Sequence, residues 1–136
     1  MNTENRESGK NETLWCIDLD WYKSNNRSIS TLAKDRLCSK CRKRLKVDKS
    51  EVGITELITA INECCSNAPE YISKDLPILE SVFRLFLANG NQPLEIEILN
   101  DKLNELRGRD SYRTSVELLS RLLKADRYYG LKQVNV

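Results

Sequence analysis

The residues best suited to chemistry in this chain are its cysteines. There are five in 136 residues, with no histidine. Cys38 and Cys41 enclose Ser39 and Lys40, the spacing that lets two thiolates reach one metal ion from a single turn. Two further ligands are needed. Twenty-one residues separate Cys16 from Cys38 and 22 separate Cys41 from Cys64, with Cys65 next in the chain. The near-symmetric spacing places the CxxC at the centre of a module that one ion could tie together. The predicted ligand set is therefore Cys16, Cys38, Cys41 and Cys64, with Cys65 as the alternative to Cys64. All-thiolate coordination suits zinc first and a 4Fe-4S cluster second. The competing reading is that no ion is bound. Cys64 and Cys65 fall along the apolar face of a helix, and free cysteine is among the most buried residue types. A thioredoxin-type role is not expected, because the CxxC follows a helix and no strand-helix-strand pattern precedes it.

A second group of residues suits polyanions. Arg42, Lys43 and Arg44 follow the CxxC directly and would offset thiolate charge or face phosphates. The charge is arranged in blocks: the first 51 residues carry a net +4, residues 52–106 a net −6, and the rest a net +4, for a total of +2. The basic tail places Arg109, Tyr112, Arg113, Ser115, Arg121, Lys124, Arg127 and Lys132 within 24 residues. Guanidinium groups and hydroxyls suit phosphates and can also reach base edges. No catalytic constellation accompanies them. There is no histidine base, Gly-rich phosphate loop or nucleophile elbow. Asp18 and Asp20 read as surface carboxylates beside the aromatic core anchors Trp21 and Tyr22. The chain is read as a binding protein and not an enzyme.

Helical periodicity supplies the elements that must position these groups. Ser30 can cap a short helix through Leu37, with Ile29, Leu32, Ala33 and Leu37 on one side. From Ile54 to Cys65, apolar residues at Ile54, Leu57, Ile58, Ile61 and Cys65 predict an amphipathic helix, ended by Asn67-Ala68-Pro69. The run from Ile78 to Leu87 is apolar on most sides and predicts a central buried helix stopped at Asn89-Gly90. Pro93 opens another helix, with Ile96, Leu99, Leu103 and Leu106 inward. A third begins after Ser111 or at Thr114, where Glu117 would complete a capping box. After Ala125 the residues turn strand-like. The fold class expected is mainly α: a small Cys-rich helical module over 14–66, a linker at 67–75, and a three-helix domain with a short C-terminal β element over 76–136. Residues 1–13 read as a disordered tail with no signal or transit character. That composition, with no apolar run of about 20 residues, predicts a cytoplasmic protein with no membrane partner.

From Leu76 to the end, the order of three helices with a short turn before the third, followed by strand residues, resembles the winged helix-turn-helix superfamily. The resemblance implies that the third helix is a recognition helix, with Arg113, Ser115, Arg121 and Lys124 on its polar side and Arg109 and Tyr112 at its entrance. It places Arg127, Tyr128, Tyr129 and Lys132 at the base of the wing. The function expected is a DNA-binding or transcription-associated protein with a structural metal. The alternatives are an adaptor that docks on a protein partner and an iron-sulfur redox-sensing regulator.

Overall fold

The computed structural model describes residues 14–108 and 113–134. Among them are seven α-helices and three short strands, so the mainly helical class with a small β element holds. Strand β1, Leu14–Ile17, opens the described chain, with Trp15 and Ile17 buried and Leu14 and Cys16 half-buried. This alternation is what a pleated strand with one face on a core requires. The Asp18 carboxylate caps helix α1, Leu19–Ser24. Helix α2, Ile29–Lys34, follows, and its cap is Ser28 and not Ser30: Ser28 Oγ accepts from the Thr31 backbone N–H at 3.2 Å. Helix α3, Ser39–Leu45, carries the second CxxC cysteine and ends at Lys46 in the left-handed conformation.

Helix α4, Ile54–Glu63, buries Leu57, Ala60 and Ile61 and stops one residue before Cys64, two short of the expected end; a single 3-10 turn, Cys65–Asn67, follows. Helix α5, Ile78–Ala88, buries Val82, Phe83, Leu85, Phe86 and Leu87, as its all-round apolar sequence demands. Strand β2, Leu94–Glu95, takes the place expected for a helix start at Pro93, and helix α6, Ile96–Arg107, begins after it. Helix α7, Val116–Ala125, is capped by Ser115, whose hydroxyl accepts from Leu118 N. Thr114, expected as a cap, is buried instead; its hydroxyl donates to Asn100 Oδ1, and its N–H and C=O pair with the Asn104 amide. Strand β3 covers only Leu131–Val134 of the strand-like run.

The three strands form one antiparallel sheet in the order β2-β1-β3, with Trp15 opposite both Leu94 and Gln133. The central strand thus comes from the N-terminal end and its two neighbours from the C-terminal half. Asn91 fastens this junction, its side-chain amide bonding both the N–H and the C=O of Ile17 at 2.8 and 2.9 Å. The buried apolar residues make one cluster running from Trp15 to Leu131. The division expected at 67–75 therefore does not separate two cores. A β-strand cannot satisfy its backbone alone, and β1 finds its partners only across that boundary.

A buried ionic knot crosses it too. The Glu80 carboxylate on α5 accepts from Arg36 Nε and Nη2 at 2.9 and 2.8 Å, from Arg84 Nε at 2.8 Å and from the Tyr129 hydroxyl at 2.8 Å. Burial alone would raise its pKa, but these donors hold the carboxyl below its ordinary range.

Candidate metal centre

Cys38 sits at the N-cap of α3 in an extended conformation, and Cys41 lies three residues on, so both thiols come off the same turn. Packing of α2 on α4 brings the end of α4 to this turn. There Cys64 leaves helical geometry at φ −133° and ψ −62°, and Cys65 enters the 3-10 turn. The Sγ atoms of Cys38, Cys41 and Cys64 all lie within 4.8 Å of one another. Cys38 Sγ is 3.9 Å from Cys64 Sγ and 3.3 Å from Cys65 Sγ. A zinc ion with Zn–S bonds near 2.3 Å holds its sulfurs about 3.8 Å apart, so the spacing of Cys38, Cys41 and Cys64 suits three ligands of one ion, with Cys65 the nearby candidate for a fourth.

The electrostatics agree with shared protons among close thiols. Burial pushes the Cys38 thiol up, but the Cys41 backbone N–H and the neighbouring thiols outweigh it and bring the group down to about 7. Burial raises Cys65 to about 12. Cys64 is raised by hydrogen bonds to Cys41 and Cys38. Arg44 Nη2 approaches Cys41 Sγ at 3.6 Å, so one guanidinium of the expected basic trio does face the sulfurs.

The described geometry brings together Cys38, Cys41 and Cys64, with Cys65 beside them. Cys16 is not in the group. It lies on β1 opposite Lys132, its thiol raised by burial and by Asp18. A central strand paired on both edges holds its side chains to the sheet and cannot bring Cys16 to the α3 turn. The expected symmetry about the CxxC is accordingly replaced by the adjacent pair at the end of α4.

Comparison of the chain with protein-family models, with curated proteins and with solved structures found no match.

The remaining basic residues divide by use. Arg42 is committed to the fold, donating to Lys34 O at 2.6 Å and pairing with Asp48 at 3.7 Å, while Lys43 is exposed. Arg113, Ser115, Arg121 and Lys124 are exposed along and before α7. Arg127 turns back to the carbonyls of Lys124 and Asp126, and Lys132 is half-buried on β3. Arg109 and Tyr112 lie outside the described residues. Tyr129 is anchored through Glu80, whereas Tyr128 remains 53% exposed with the Arg27 guanidinium 4.2 Å over its ring. Two structural residues escaped the sequence reading. Asn91 gave no signal, because its partner is 74 residues away. Glu80 did give one: a lone acid among apolar residues of a buried helix must have a cationic partner.

Proposed function

We propose that this chain is a non-catalytic DNA-binding or transcription-associated protein in which Cys38, Cys41, Cys64 and Cys65 hold one structural zinc ion. The observation that carries the metal reading is that the Sγ atoms of Cys38, Cys41 and Cys64 lie within 4.8 Å of one another, with Cys65 Sγ 3.3 Å from Cys38 Sγ. A cubane would put four irons between the thiolates and spread them further, so the spacing favours a lone ion over an iron-sulfur cluster. Two ligands from α3 and two from the end of α4 would make the ion a staple between helices too short to be stable alone.

DNA binding is supported by α7. Its outward side offers Arg121 and Lys124, with Arg113 and Ser115 at its start, and among the described residues none of these cations forms a salt bridge. The order α5, β2, α6, α7, β3 supports the winged-helix reading, with α7 as recognition helix. In that reading β1 supplies between β2 and β3 the pairing that a C-terminal hairpin would otherwise make. Adaptor binding has one observation in its favour: Ile98 and Leu106 stand 44% and 49% exposed on the acidic helix α6.

Fluorescence anisotropy with duplex DNA at several salt concentrations separates the readings. Replacing Arg113, Arg121 and Lys124 by Gln should weaken binding and reduce the slope of log affinity against log salt by about 2–3, since each phosphate contact contributes about 0.9. A wild-type protein that ignores DNA at low salt would sink the DNA reading and leave the acidic face of α6 as the surface to test.

A further inference from the structure

The four clustered sulfurs differ in access. Cys41 and Cys65 are fully buried, while Cys38 and Cys64 are partly open to solvent. Cys38 is thus a reachable sulfur with two others close by, Cys65 at 3.3 Å and Cys64 at 3.9 Å. The Cys38 backbone N–H also donates to Cys65 Sγ at 3.1 Å, which holds that sulfur against the Cys38 backbone.

From this arrangement we infer that the cluster is an oxidation site for hydroperoxides, with Cys38 as the attacked sulfur and Cys65 as the buried partner that closes a Cys38–Cys65 disulfide. The inference rests on the proposed metal site only for its consequence, release of the ion. The Cys38 thiolate attacks one peroxide oxygen, the O–O bond breaks, and hydroxide leaves and is protonated to water, so that Cys38 carries a sulfenic acid. The Cys65 sulfur, losing its proton, then attacks the Cys38 sulfur. An S–S bond forms, the S–O bond breaks, and a second hydroxide leaves as water. Two thiolates, two protons and one hydrogen peroxide become one disulfide and two waters, the two electrons passing from sulfur to the peroxide.

The alternatives are disfavoured on the same geometry. Cys41 has its sulfur turned to Arg44, and Cys64 Sγ lies further from Cys38 Sγ, at 3.9 Å, than Cys65 Sγ does. A bond between the adjacent Cys64 and Cys65 would close a small ring through their shared peptide, which strains it. The Cys38–Cys65 bond joins the start of α3 to the end of α4, the same two points the ion would join. Oxidation therefore exchanges a metal staple for a covalent one: two ligands are lost, the ion leaves, and the helices stay tied.

The test uses the full chain purified without air, its zinc content measured before one equivalent of hydrogen peroxide is added. Free thiols, zinc passed to a chromogenic chelator, and cross-linked peptides after alkylation are then followed. Two of the five thiols should disappear. Fragmentation between Cys64 and Cys65 should place the bond on Cys38 and Cys65, and zinc should appear one per chain with helicity retained. A bond at another pair, Cys38 oxidised with no disulfide, or thiols left intact would overturn the inference. Protein that contains no metal at the outset would overturn the metal reading alone, because the peptide map made on that protein still decides whether Cys38 and Cys65 are joined.

Discussion

Cys65 separates the two ligand sets that can be written for this chain. If it is the fourth ligand, Cys65→Ser should lower retention of zinc against a competing chelator by at least the tenfold typical of losing even an outer contact. Cys16→Ser should leave zinc content unchanged and cost only about 1 kcal/mol of packing. The opposite pattern would restore Cys16 to the site. The CxxC and Cys64 were legible from spacing. Cys65 entered only as a substitute for Cys64, because neighbouring residues in a continuous helix point about 100° apart. Both can serve because α4 ends at Glu63, a boundary that periodicity does not resolve. Gly130 makes a separate demand. It holds φ +69°, and a Cβ there would lie 2.7 Å from Trp21 Cε3 and 2.9 Å from Tyr22 Cε1. Strain in that region costs about 1–3 kcal/mol before the clash is added, so Gly130→Ala should lower the thermal midpoint by roughly 5–10 °C. A midpoint within a degree of wild type would show that the turn and the Trp21 ring shift aside.

Among the elements, α5 has the most to hold, and Glu80 is its most constrained position. Arg36 comes from just after α2, Arg84 from the next turn of α5, and Tyr129 from the segment before β3. Glu80→Gln leaves two guanidiniums without their buried counter-charge, and a loss of about 3 kcal/mol is expected in urea unfolding at neutral pH. The sign of the pH effect follows from the direction of the shift. A carboxyl held below its ordinary value near 4.5 when folded contributes stability that is complete above that value and is lost as pH falls through the lower, folded one. Wild type should therefore weaken on acidification below about pH 4.5, and the Gln variant should weaken less over the same range. Equal slopes for the two proteins would mean that other carboxylates carry the acid response. The burial of α5 was readable from its continuous apolar run. Its ionic partners were not, since Arg36 and Tyr129 lie 44 and 49 residues away. No local pattern encodes a contact of that separation.

For the molecule as a whole, the decisive feature is a sheet whose middle strand is the first described element. A fragment of residues 76–136 would lack Trp15 and Ile17 from its core and would present β2 and β3 with no strand between them. It should not fold alone, and its amide spectrum should show unfolded dispersion. The intact chain should unfold in one transition, with far- and near-ultraviolet signals coincident, because one apolar cluster serves both ends. Two separated transitions would restore the division at 67–75. The order and approximate extents of α2, α4, α5, α6 and α7 were legible from their periodic apolar residues, whereas α1 and α3, of six and seven residues, were not anticipated. The shared core was not, because a four-residue strand such as Leu-Trp-Cys-Ile carries too few alternations to announce itself.

The same strand sets the timing of the protein's own birth. Ile17 lies opposite Leu131 in the ladder, and Leu14 lies opposite Val134. At translation speeds of roughly 5–20 residues per second, β1 leaves the ribosome on the order of ten seconds before β3 exists. Throughout that interval a short apolar segment bearing Trp15 and Ile17 has both edges open to any other strand it meets. Helices with local contacts can form as they emerge, but the final closure of this fold waits for the last described residues. Crowded synthesis, as in heavy overexpression, should therefore expose the nascent chain to association through its leading end, and slower expression at low temperature should favour soluble product.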